Sequence, residues 1–186
     1  MAKLLKILTK SAEETRKIGE KLAKELMKSS YAKASADKLK TATVLSLEGE
    51  LGAGKTTFTQ GFVKGLGIKE NPRSPTFVLM QIYTITPSNS PFVRGRKKTK
   101  PPSPLRRGKG RDRSYGRFSN FIHIDAYRIA SKDLKSLGWR EFVKNKENII
   151  LIEWGNRVKN ILPKNSLRII FEHVGHHRQR LIKVCK

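Results

Sequence analysis

Apolar residues recur along this chain in two rhythms, short continuous runs and longer stretches with helical spacing, and the two alternate. Lys3 to Leu8 reads as a first strand. Ser11-Ala12-Glu13-Glu14 follows as a capping box, with the Ser11 hydroxyl and the Glu14 carboxylate each taking the other's free N–H. Thr15, Ile18, Gly19, Leu22, Ala23 and Leu26 then fall on one helical face, which predicts an amphipathic helix packed on a sheet. Ser29 to Lys40 is a polar, basic loop. Thr43 to Leu47 is a short buried strand, and Thr57 to Leu66 carries Phe58, Phe62, Val63 and Leu66 at helical spacing before Gly67 stops it. The segment 68–76 holds Pro72 and Pro75 and cannot be helix interior. Strands are expected from Phe77 to Tyr83, from Phe121 to Asp125 and, most clearly, from Asn148 to Trp154, with a helical region from Ser131 to Val143 broken at Gly138. Leu167 to Phe171 and Arg180 to Val184 read as two last strands, with His176-His177 at a solvated hairpin tip.

One segment breaks this rhythm. From Thr84 to Phe118 there are five prolines, and residues 94–117 carry eleven Lys or Arg against Asp112 alone, a net +10 out of the chain's +25. With few apolar residues to bury, 84–118 is expected to be a disordered, basic, Pro-rich insertion in a single domain spanning 1–186. The remaining +15 still favours a polyanionic partner, RNA first, bound through phosphate neutralisation. The competing reading is a solubility surface with a passenger insertion. Cys185 is the only cysteine, so there is no disulfide framework, and no apolar run approaches membrane-spanning length. A cytoplasmic protein without a membrane partner is expected.

The chemistry concentrates at Gly49-Glu50-Leu51-Gly52-Ala53-Gly54-Lys55-Thr56, which fits the phosphate-loop pattern G-x-x-x-x-G-K-[ST] between a strand and a helix. Small residues let successive backbone N–H groups turn around a polyphosphate at the positive end of the following helix. Glu50, Leu51, Gly52, Ala53, Gly54, Lys55, Thr56 and Thr57 are therefore candidate nucleotide contacts, with Lys55 neutralising the outer phosphates and Thr56 offering its hydroxyl to Mg2+. Two strands end in acids, Asp125 and Glu153, where such sheets face the ligand crevice; Glu153 closes four apolar residues and suits a metal carboxylate. His123 shares a strand face with Asp125, too few ligands for a structural metal. Thr76 is either a switch threonine reaching the γ-phosphate or a strand-start residue without function. Asn145-Lys146-Glu147-Asn148 lacks the aspartate of a guanine reader and precedes a strand, which favours adenine, with Trp154 a stacking candidate. Arg157 reads as a surface arginine, and no arginine is evident for the γ-phosphate. These elements predict an α/β, three-layer P-loop NTPase fold with a central, largely parallel sheet and a C-terminal antiparallel hairpin.

The loop above, then Ser74-Pro75-Thr76-Phe77, Asp125-Ala126-Tyr127-Arg128, Leu137-Gly138-Trp139-Arg140-Glu141-Phe142 and Leu151-Ile152-Glu153-Trp154 resemble, in kind and order, the TsaE (YjeE) family of bacterial ATPases. The likeness covers nearly all of the chain except the insertion, where that family has a short hairpin connection. It implies a Mg2+-dependent ATPase, weak alone and stimulated by partners, acting with the TsaB and TsaD proteins to make threonylcarbamoyladenosine in tRNA. In that family TsaD transfers the threonylcarbamoyl group and ATP hydrolysis by TsaE resets the complex. By the same likeness Lys55, Asp125 and Glu153 are the catalytic set, Thr56 and Glu153 the metal ligands, Thr76 the switch threonine and Trp154 the tryptophan beside the nucleotide. Two other classes share parts of the pattern, a small-molecule P-loop kinase and an RNA-binding module that holds nucleotide without turning it over.

Overall fold

The computed structural model describes residues 4–31, 40–69, 79–85, 118–175 and 178–185. The expected roles of Thr76, of the basic segment between Ile85 and Phe118 and of His176-His177 lie outside these residues. In chain order the elements are β1 (Leu5–Thr9), α1 (Ala12–Tyr31), β2 (Thr43–Gly49), α2 (Lys55–Gly65), β3 (Met80–Thr84) and β4 (Asn120–Asp125). They continue with α3 (Ser131–Ser136), α4 (Trp139–Lys144), β5 (Asn148–Glu153), a 3-10 helix (Gly155–Ile161), β6 (Leu167–His173) and β7 (Arg180–Cys185).

Among the described residues seven strands join one sheet in the order β1-β7-β6-β2-β5-β4-β3. β6, β2, β5 and β4 run parallel; β7 is antiparallel to both β6 and β1, and β3 is antiparallel to β4. The sheet is thus largely parallel at its centre and antiparallel at its margins, and the C-terminal hairpin β6–β7 is internal because β1 covers its far edge. Strand alternation sorts the core into two layers. Leu45, Leu47, Phe121, Ile149, Leu151, Ile169 and Phe171 face Phe58, Phe62 and Val63 of α2, with Ile18, Leu22, Ala23 and Leu26 of α1 packed on that layer. Val44, Ile122, Ile124, Ile150 and Ile152 face Leu134, Trp139 and Val158 on the opposite side.

Two local expectations change. The Ser11 hydroxyl does accept the Glu14 N–H (3.1 Å), but the Glu14 carboxylate takes the N–H of Lys10 (2.7 Å), not that of Ser11. The cap thus reaches one residue further back and ties the β1–α1 turn. Helix α1 also runs through Ser29 to Tyr31, and besides packing its apolar face on the sheet layer as expected it comes into backbone contact with α2. A Cβ at Gly61 would lie 1.9 Å from the Arg16 carbonyl oxygen, and one at Gly19 would lie 2.2 Å from that of Phe58. The glycines on the two helices let the backbones touch, and this fixes the height of α2 over the sheet.

On the far side of β2, Glu48 accepts two hydrogen bonds from Arg168 of β6, at 2.9 and 2.8 Å. The guanidinium holds the Glu48 carboxyl below the ordinary glutamate range, against an opposing contribution from burial. Because the folded value is lowered, this pair stabilises above about pH 4.3 and loses its effect as pH falls through Glu48's lowered value. Arg168 is half exposed, so the contribution is about 0.5–1 kcal/mol. Arg168→Met is expected to lower Tm at neutral pH and to cost progressively less in acid, read by thermal unfolding at several pH values. Gly61→Ala is expected to destabilise by about 1–3 kcal/mol, a fall in Tm of roughly 3–10 °C; an unchanged melting curve would contradict the close helix crossing.

Candidate functional site

The loop after β2 is shaped by glycines with positive φ, 140° at Gly49, 75° at Gly52 and 100° at Gly54, the last immediately before α2. Left-handed residues at these positions curl the backbone into the concave form that suits anions, and α2 adds the partial positive charge of its first turn. Leu51 stands at the tip, 81% exposed, whereas Ala53 is buried. Lys55 is 5% exposed and lies along the loop, its Nζ donating to the carbonyls of Gly49 (2.9 Å) and Glu50 (2.8 Å). The same ammonium sits 3.8 Å above the Trp154 ring, a contact worth about 0.5–2 kcal/mol. Burial pulls its pKa below the usual lysine value, while Glu153 and then Asp125 push it back up.

Those acids are brought together by strand register. β4 and β5 are parallel neighbours with Asp125 opposite Glu153, so two carboxylates stand side by side at adjacent strand ends. Asp125 is 4% exposed, and its Oδ1 accepts the N–H of Tyr127, which stiffens the turn leaving β4. Glu153, 2% exposed, accepts the Thr56 hydroxyl on Oε2 at 2.9 Å; its Oε1 lies 3.1 Å from both the Thr59 hydroxyl and His123 Nε2. Thr56 and Thr59 come from the first turns of α2, so the carboxylate ties the loop helix to the central strand.

The chain then leaves β5 sharply. Trp154 adopts φ 61°, a left-handed conformation that costs a non-glycine residue about 1–3 kcal/mol. Gly155 follows, pressed so closely on Ser46 that a Cβ would meet its Oγ at 2.1 Å. This strained turn sets the Trp154 ring against Lys55 and against Tyr127, whose ring centroid is 5.0 Å away.

Lys55, Thr56, Asp125, Glu153 and Trp154 thus meet at one end of the sheet. Arg157 is exposed on the 3-10 helix, and Asn145 and Asn148 serve a turn at the opposite end of β5, where Asn145 Oδ1 takes the Glu147 N–H. Sequence reasoning missed two features. Thr59 and His123 converge on Glu153, a contact signalled in the sequence only by a threonine one turn after Thr56. A cleft of about 410 Å3 opens beside the loop, lined among others by Ser11, Thr15, Gly52, Thr57 and Arg180. Arg180, at the start of β7, donates from Nη2 to the Gly52 carbonyl at 3.1 Å. It is 128 positions away in sequence, and no local pattern announces it. Trp154 is not among the residues lining this cleft.

A phosphate-loop helix, its lysine, a helix threonine and a strand-end acid on a parallel sheet define a P-loop protein of the α/β class. A family model described as "Threonylcarbamoyl adenosine biosynthesis protein TsaE" matches residues 9–93 and 112–182. The chain belongs to the TsaE family. Residues 94–111, inside the basic stretch, fall between the two matched segments. A Bacillus subtilis (strain 168) protein named tRNA threonylcarbamoyladenosine biosynthesis protein TsaE is 31% identical over 179 residues, 96% of this chain and 84% of that protein. The protein of the same name from Rickettsia typhi is 33% identical over 158 residues, 84% of this chain and 86% of that one. The crystal structure of Bacillus subtilis YdiB superposes with a TM-score of 0.62 at 28% identity, covering 100% of this chain and 86% of its own. Among the described residues no helix is long and apolar enough to cross a membrane.

Since the Lys55 value is lowered, its proton is lost at a lower pH than that of exposed lysines, which titrate near pH 10.4. Raising pH is therefore expected to change Trp154 fluorescence before the bulk of lysines titrate, and Lys55→Met is expected to abolish that step. A step of the same size in the variant would dissociate the two side chains.

Proposed function

We propose that this protein is a Mg2+-dependent ATPase of the tRNA threonylcarbamoyladenosine machinery, slow alone and stimulated by TsaB and TsaD. The observation that carries the reading is the 2.9 Å contact between Thr56 of the loop helix and Glu153 of β5, beside a lysine aimed into the loop. Thr56 and Glu153 form an all-oxygen donor pair that fits a hard divalent ion, with Asp125 next to it in register. Mg2+ held there would supply charge neutralisation on the phosphate oxygens.

The remaining work belongs to the chain's own groups. The N–H groups of residues 50–57 bind the polyphosphate, and Lys55 exchanges its carbonyl partners at Gly49 and Glu50 for outer phosphate oxygens. Its desolvated ammonium is worth more against a phosphate than an exposed lysine, because the surrounding dielectric is low. Asp125, in register beside Glu153, would orient the attacking water, and Thr76 is assigned to sense the γ-phosphate. The cleft beside Gly52 and Thr57 takes the nucleoside end, while Trp154 supports the lysine at the phosphate end. The net charge of +25 supports contact with tRNA, directly or through the complex with TsaB and TsaD.

The test is phosphate release from ATP with and without Mg2+, alone and with TsaB and TsaD. Lys55→Ala is expected to cut hydrolysis by at least about 100-fold, the scale lost with one charge-stabilising group. Hydrolysis at an unchanged rate would overturn the assignment, and phosphate transfer to an added nucleoside in place of release would point to a kinase.

A further inference from the structure

His123 lies on β4 two residues before Asp125, so its side chain shares the α2 face of the sheet. It is fully buried, it stacks on Phe121 at 6.2 Å, and its Nε2 is 3.1 Å from Oε1 of Glu153. With Glu153 as a carboxylate, which can only accept, the hydrogen of this contact is assigned to Nε2. Among the described residues the buried Nδ1 meets no polar partner, which leaves the ring a single polar contact there, the one to Glu153.

The other donors to Glu153 are not committed in the same way. Thr59 has one hydroxyl hydrogen, and its Oγ1 lies between the Lys55 carbonyl at 3.0 Å and Glu153 Oε1 at 3.1 Å, so the hydrogen is divided between them. Thr56 approaches the opposite oxygen, Oε2, with the hydroxyl assigned to the metal. His123 is the one donor on this carboxylate, among the described residues, with no competing acceptor.

We propose that His123 is a positioning residue for nucleotide hydrolysis: its Nε2–H pins Oε1 of Glu153, so that Oε2 alone is presented, beside Thr56, to the metal and the phosphates. The inference rests on the ATPase reading above. A group that orients a metal ligand typically changes metal affinity or activity by about 10–100-fold when removed. A histidine retained only to fill space would change neither.

The experiment compares His123→Phe, His123→Gln and Thr59→Val in the full chain, with TsaB and TsaD present for turnover. Gln retains an N–H at the reach of Nε2, whereas Phe keeps the ring and removes the donor. His123→Phe is expected to lower kcat by about 10–100-fold and to raise the Mg2+ concentration giving half-maximal activity. ADP affinity measured in EDTA should be unchanged, while the gain in ADP affinity on adding Mg2+ should shrink. His123→Gln should recover most of both losses, and Thr59→Val should be milder than His123→Phe. Normal kcat and Mg2+ response in a folded His123→Phe variant would overturn the proposal. So would an equal loss of ADP affinity with and without Mg2+, or a Gln variant no better than Phe, since each marks a merely structural side chain. If the wild-type protein neither hydrolyses ATP nor gains ADP affinity with Mg2+, the ATPase reading fails first and this proposal falls with it.

Discussion

A buried carboxylate is the constraint on which this molecule is arranged. Glu153 ends β5, a strand buried at every position, where an unpaired negative charge would be costly. It persists there because three groups from two different elements point at it: Thr56 and Thr59 from the loop helix and His123 from the neighbouring strand. Removing one partner of such a cluster leaves the others facing an unsatisfied group, so its members depend on one another. The cluster also seats α2 over β5, and thereby places the loop, Lys55 and the strand-end acids in one small volume.

The helix glycines serve the same end from the opposite side. Gly19, Gly61 and Gly65 bring α1 against α2 at backbone contact, so the loop helix is held between a second helix above and Glu153 below. A helix clamped in this way can carry a loop of three left-handed glycines without the loop collapsing. The strain at Trp154 fits the same pattern. Its φ of 61° costs energy, and the turn is held by Gly155 packed on Ser46 and by the Trp154 ring lying on Lys55. Phosphate loop and strand-end turn thus brace each other through one cation–π contact.

Much of the site was legible in the chain because its parts are local patterns with mechanical causes. The loop needs glycine, lysine and threonine at fixed spacing, and a strand running Ile149 to Ile152 before Glu153 marks an acid at a strand end. The break at Gly138 was visible for the same reason, and its φ of 87° separates α3 from α4 as a helix stop should. The Glu14 carboxylate, by contrast, took Lys10 instead of Ser11, since the reach of a capping side chain depends on how the preceding strand enters the turn.

What the sequence alone determined is therefore most of the strands and helices, the loop and the acids, each written in a local run of residues, though not the 3-10 helix Gly155–Ile161. The tertiary structure decided how distant segments meet: strand order 1-7-6-2-5-4-3, Arg180 against Gly52, and His123 beneath Glu153. The physical reason is that local periodicity specifies which face of an element is apolar. It does not specify which neighbour that face will meet, since burial is nondirectional and partner choice is settled only when the sheet assembles and every buried polar atom must find its match.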